Sequence, residues 1–187
     1  MAHAGDIINN PITRETITFR QTSHDTGGAL LQFDLVVQPG GFPIGAHIHP
    51  KQEERFTVVS GRLRAWLNDR EQDLAAGDAL IIPAGTPHYW KNMSDDACHI
   101  VVEMRPALQW ETLFETMFGL ARDGKTDKQG RPNPLQAAVT FNHFKDEAHP
   151  VEARDRMLSK LIPILAQLGK RMGYKAVYPY SAKEQNR

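Results

Sequence analysis

Apolar residues follow two different rhythms in this chain, and the change falls near Pro106. Before it they come in short runs broken by Gly, Pro, Asn and Asp. Leu31, Phe33, Leu35 and Val37 alternate against Gln32, Asp34 and Gln38, which predicts a strand with one apolar face. Pro39-Gly40-Gly41 ends it. Thr16 to Gln21 predicts another strand. Arg55 to Leu67 reads as a hairpin, with Phe56-Thr57-Val58-Val59 and Leu63-Arg64-Ala65-Trp66-Leu67 flanking Ser60-Gly61. Asn68-Asp69-Arg70 is the next turn and Asp73-Leu74 a short strand. Ala79 to Ile82, His88 to Lys91 and His99 to Met104 complete the series, with a turn over Asn92 to Asp96. Short strands at near-regular spacing predict a sandwich or barrel.

After Pro106 the period lengthens. Trp110, Leu113, Phe114, Met117 and Phe118 stand at i, i+3, i+4, i+7 and i+8, the stripe of an amphipathic helix. Ala121 to Pro134 is polar and reads as a loop, and a second helix is expected over Leu135 to Phe144. A third is expected from near Val151, with Met157, Leu158, Leu161, Ile162, Leu165 and Leu168 on one side and a kink or break at Pro163. The organisation expected is therefore a β-barrel with an N-terminal strand over 1–106, then a helical extension over 107–187 packed on the barrel or on a dimer partner.

The 187 residues are enough to bury a core without disulfides. Lys plus Arg and Asp plus Glu number 22 each, so the formal charge is zero, which argues against nucleic acid as the main partner. The single cysteine, Cys98, lies in an apolar run and reads as a small buried hydrophobe. No signal-like leader and no apolar stretch of membrane-spanning length is visible, so a cytoplasmic protein without a membrane partner is expected.

The candidate chemistry lies in four residues. His47 and His49 are two apart, so on a strand both rings leave the same face. Glu54 and Glu53 both follow closely. Parity separates them: an inward Glu54 takes Phe56 and Val58 inward with it, whereas an inward Glu53 would bury Arg55. His88 follows the rigid Pro83-Ala84-Gly85-Thr86-Pro87. Imidazoles with a carboxylate suit Mn, Fe, Ni, Co, Cu or Zn, and no thiolate set favours a structural zinc. The strand positions Phe33, Phe56, Val58, Trp66, Ile82 and Trp90 would line the barrel and favour a small organic ligand.

Gly41-x5-His47-x-His49-x4-Glu54-x6-Gly61 resembles the first cupin motif at each defining position, and Gly77-x5-Pro83-x-Gly85-x2-His88-x3-Asn92 resembles the second. The resemblance, over roughly Ile17 to Met104, is to a single-domain, germin-like cupin. It implies a mainly β protein, a double-stranded β-helix or jelly-roll barrel with a C-terminal α-helical extension. It implies one divalent ion (Fe, Mn, Ni or Zn) on His47, His49, Glu54 and His88. It also implies turn roles for Gly61, Gly77, Gly85 and Asn92, and a homodimer. Glu54 can serve as base as well as ligand. The activity expected is a dioxygenase or oxidase acting on a small organic substrate. The alternatives are a redox-neutral metal-dependent isomerase, decarboxylase or lyase, and a non-enzymatic small-molecule binder.

Overall fold

The computed structural model describes residues 2–41, 45–151 and 160–180, and no side-chain placement for His149 and Pro150. Its strands are β1 (Ile7–Asn10), β2 (Glu15–Gln21), β3 (Leu31–Val37), β4 (His47–Ile48), β5 (Glu53–Ser60), β6 (Arg62–Leu67), β7 (Arg70–Ala75), β8 (Ala79–Ile82), β9 (His88–Asn92), β10 (Cys98–Arg105) and β11 (His149–Pro150). The helices are α1 (Trp110–Arg122), α2 (Pro134–His143) and α3 (Ile162–Arg171). The strands form two antiparallel sheets, ordered β1-β2-β3-β10-β5-β8 and β11-β4-β9-β6-β7. The chain is mainly β, with helices toward its C-terminal end.

Period-two patterning explains the layering. Leu31, Phe33, Leu35 and Val37 on β3 are buried, as are Phe56 and Val58 on β5 and Ile100, Val102 and Met104 on β10, while their neighbours along each strand face outward. The inner faces of both sheets meet in one core, to which α1 adds Trp110, Leu113 and Phe118. Phe114 of α1 packs edge-on against Phe33 with ring centres 5.2 Å apart.

The expected hairpin over Arg55 to Leu67 does not form. Both segments are strands, but β5 pairs with β10 and β8, and β6 pairs with β7 and β9. Each is occupied on both edges, so the turn at Gly61 carries the chain from one sheet to the other. Gly61 has φ 83°, and a Cβ there would stand 2.9 Å from Cys98 Cα. The true hairpin is β6–β7, closed by Asn68-Asp69 with Asn68 at φ 52°. Asn92 closes the β9–β10 turn through its side chain: Nδ2 donates to the carbonyls of Val37 and Asp96, each at 3.0 Å, and Oδ1 accepts from Ser94 N at 2.7 Å.

Trp66 is a second correction. It shares parity with Arg64, lies on the outer face and stacks on Tyr89 at 4.4 Å, so it does not line the barrel. In the tail, Met157 and Leu158 lie outside the described residues. Pro163 falls in the first turn of α3, where its missing N–H costs nothing, and starts the helix instead of kinking it. The expected apolar face is only partly covered: Leu165 packs against the α2–α3 contact and Ile162 is half-buried. Ala166 and Gly169 are buried against α2, whereas Leu161, Ile164 and Leu168 are exposed. His149 and Pro150 form the short strand β11 within the C-terminal extension. The short β1 lacks a patterned signal and completes the edge beside β2.

Gly169 is the close point of the α2–α3 contact. A Cβ there would stand 2.6 Å from Val139 Cγ2 and 3.0 Å from the Leu135 carbonyl oxygen. Gly169→Ala gains ~1 kcal/mol of helix propensity but must push the helices apart, at ~1–3 kcal/mol. A net loss of about 1 kcal/mol is expected in urea unfolding followed by helical circular dichroism, where an exposed Leu168→Ala changes little.

Candidate metal centre

Register assembles the site. β4 pairs with β9 so that His47 lies directly across from His88. His49 follows at the end of β4, and Glu54 comes from β5 in the facing sheet, between Met104 and Ile82. His47, His49, Glu54 and His88 are all buried, and one ligand atom from each falls within 4.8 Å of all the others. Glu53, by contrast, is exposed. Among the histidines whose side chains are described, the remaining ones stay outside this group: His99, for example, bonds Asp34 Oδ1 at 2.6 Å on the outer face.

The outer ring nitrogens decide the chemistry. His47 Nδ1 lies 2.9 Å from the Gly45 carbonyl oxygen, His88 Nδ1 2.9 Å from that of Thr86, and His49 Nδ1 2.8 Å from that of Glu147. A carbonyl can only accept, so each Nδ1 carries the proton and each Nε2 presents a lone pair inward. His47 Nε2 and His49 Nε2 are 3.1 Å apart; Glu54 Oε2 lies 3.0 Å from His88 Nε2 and 3.4 Å from His49 Nε2. Glu54 Oε2 and His88 Nε2 are buried without a properly formed hydrogen bond. Acceptors facing acceptors in a dry site repel one another unless a cation or proton lies among them.

The protonation equilibria divide: His47 stays neutral, whereas the Glu54–His88 contact favours a positive charge, a proton or a cation, between those two groups. Burial, helped by His49 and His88, pushes the His47 imidazole down to about 3, so it stays neutral. Burial would raise the Glu54 carboxyl, but His49 and His88 outweigh it and hold the group well below the usual carboxylate range. Burial also opposes a charge on His88, yet the Glu54 contact reverses this and raises it. The arrangement fits a divalent ion. Ligand atoms about 2.1 Å from one metal sit about 3.0–3.4 Å from each other at right or tetrahedral angles, the range of the three contacts above.

Four further residues support the site without having been singled out from sequence. Gln52, fully buried, donates from Nε2 to the carbonyls of Pro106 (2.7 Å) and Ala107 (3.2 Å), and its Oε1 accepts from Trp110 Nε1 at 2.6 Å. Trp110 in turn sets its ring edge-on to His49 at 5.0 Å. Strand parity with Glu54 was a usable signal for Gln52. Glu147 acts through its main chain, for which sequence carries no signal. β11 adds to this by pairing Pro150 with His47 and His149 with Ile48. The fourth residue is Glu15.

Glu15 shares with His47, His49 and Glu54 a cavity of about 40 Å³, walled otherwise by Ile17, Phe33, Leu35, Phe56, Trp90, Val102, Trp110 and Phe114. That is room for a few waters. Burial pushes the Glu15 carboxyl up to about 7, with Thr13 pulling weakly the other way. A raised carboxyl stabilises the fold below its unfolded value near 4.5 and loses that contribution as pH climbs through about 7. The wild-type protein is therefore expected to lose ~3 kcal/mol between pH 4.5 and 8 that Glu15→Gln does not lose. Chemical denaturation at the two pH values checks this; parallel curves for the two proteins would contradict it.

Residues 33–103 match the Cupin_2 family, a cupin domain. The chain is 33% identical over 72 residues to the polyketide synthase CurC of Streptomyces cyaneus, covering 38% of this chain and 47% of that protein. It is 33% identical over 85 residues to quercetin 2,3-dioxygenase of Bacillus subtilis, covering 43% of this chain and 24% of that protein. The chain thus spans less than half the length of these relatives. Among solved structures, a predicted oxalate decarboxylase from Thermotoga maritima aligns at 16% identity over 54% of this chain and 90% of that one, with a TM-score of 0.48.

Proposed function

Since this chain belongs to the cupin superfamily, we propose that it is a metal-dependent enzyme acting on a small organic substrate, with oxygen-using dioxygenase or oxidase chemistry. The observation that carries the reading is the convergence of three Nε2 lone pairs and the Glu54 carboxylate, with every Nδ1 held by a carbonyl. His47, His49, Glu54 and His88 would hold the ion, of Fe, Mn, Ni or Zn type. When bound, such an ion supplies Lewis-acid polarisation of a chelating oxygen and, if redox-active, electron transfer with dioxygen.

The chain's own residues supply the rest. The carbonyls of Gly45, Thr86 and Glu147 fix the ring orientations. Glu54, whose carboxylate lies at the cavity wall, would act as base only on leaving the ion, taking a proton from an acidic O–H of the substrate. Phe33, Phe56, Trp90 and Trp110 exclude bulk water and strengthen each electrostatic contact. The likeness to quercetin 2,3-dioxygenase supports the oxygen-using branch. We further assign residues 1–106 to the barrel and 107–187 to the extension, and expect a homodimer.

Oxygen uptake by protein loaded with iron, nickel or manganese, across small enols, diketones and catechols, tests the proposal. Uptake that disappears in His47→Ala supports it. Turnover that proceeds equally without oxygen would reassign the site to isomerase, decarboxylase or lyase chemistry.

A further inference from the structure

We propose that Glu15 is a second polar anchor of the cavity, hydrogen-bonding the far end of a substrate whose oxygen-bearing head sits at His47, His49, Glu54 and His88. This rests on the metal-site reading above and deepens it. The ligand class it names has a chelating head, a short apolar middle, and a hydroxyl or amine at the other end.

The placement of Glu15 goes against the pattern of its strand. Along β2, positions 15, 17 and 19 face inward; two of them are Ile17 and Phe19, and the third is an acid only 8% exposed. A buried carboxyl without a cation costs stability relative to any apolar residue there, and no ion pair reaches Glu15 among the described residues. Its side-chain partner within the fold is the Thr13 hydroxyl, which only partly offsets the burial. Glu15 does line the same cavity as His47, His49 and Glu54.

Register sets the two acids apart. Glu15 ladders with Val37, and Val37 with Cys98, at the start of β10. Glu54 ladders with Met104, near the end of β10. The carboxylates thus stand toward opposite ends of the sheet while facing one cavity, with apolar wall such as Ile17, Leu35 and Phe33 in between. A ligand held at the metal cluster and extending along that wall meets Glu15 as its one other polar side chain among the described lining residues. The raised carboxyl at about 7 supports the role, since near neutral pH the group can donate or accept a hydrogen bond. The small volume restricts the middle of the ligand to a few carbons.

The test uses the full-length, zinc-loaded protein and straight-chain hydroxamates of two to four carbons, each in a methyl-ended and a hydroxyl-ended form, with affinities from calorimetry. In the wild type, the hydroxyl-ended compound is expected to bind about tenfold tighter than its methyl-ended twin at one of the chain lengths. Glu15→Met abolishes that preference and leaves the methyl-ended affinity within about threefold. Glu15→Gln, which keeps the volume, changes the preference by at least about threefold. A wild type that never prefers the hydroxyl end, or a preference unchanged in both variants, overturns the assignment of Glu15 while leaving the metal site standing. Failure of the zinc-loaded wild type to bind any hydroxamate overturns the metal reading and this inference with it.

Discussion

Replacing His88 with alanine is expected to weaken binding of a divalent ion by at least ~100-fold, while the metal-free variant melts close to the metal-free wild type. The reasoning starts from the unpaired atoms. His88 Nε2 and Glu54 Oε2 are buried with no proper hydrogen bond, so the imidazole contributes an unsatisfied group as well as packing. Deleting it removes that group and opens a small void, two effects of opposite sign. The metal-bound proteins differ much more. A ligand at a thousandfold excess over its dissociation constant stabilises the native state by ~4 kcal/mol, and a hundredfold loss of affinity reduces that to ~1.4 kcal/mol. Scanning calorimetry with and without added zinc reads both numbers. Equal stabilisation of the two proteins by zinc would show that the ion binds elsewhere.

Trp110→Ala is expected to cost about 4–6 kcal/mol. Roughly 3–5 kcal/mol is the usual range for truncating a buried aromatic side chain, and Trp110 is only 3% exposed within the core that joins α1 to the barrel. The rest comes from Gln52, whose Oε1 loses its indole partner in a fully buried position. Trp110→Phe separates the two contributions. It keeps an aromatic ring but not the donor, and about 1–3 kcal/mol is expected for it. Urea unfolding measures both. A tenfold drop in zinc affinity should accompany the alanine variant, because His49 loses its edge-on neighbour. An alanine variant within about 1 kcal/mol of wild type would mean that α1 does not close the barrel in solution.

Much of this was legible in the residues, and the misreadings have identifiable causes. Period-two alternation marked β3 because that strand has one face in the core. The same parity separates Glu54, which faces the cavity, from the exposed Glu53. The hairpin failed because a glycine turn between two apolar runs says nothing about whether their edges are already taken by β10, β8, β7 and β9. Trp66 was misplaced by hydrophobicity, although its parity with Arg64 pointed outward. A strand taken from Thr16 leaves out Glu15, an acid in register with Ile17 and Phe19, because a charged residue at a strand's first position looks like the end of a turn. The contribution of Glu147 is a carbonyl, and main-chain atoms are the same at every position.

X-ray absorption at the zinc edge, on protein given one equivalent of zinc and then desalted, most directly checks whether the four side chains act together. Retention of the ion, with three imidazoles and one carboxylate oxygen at about 2.0–2.2 Å, is the expected result. Loss of zinc on desalting, or retained zinc without imidazole scattering, would contradict it.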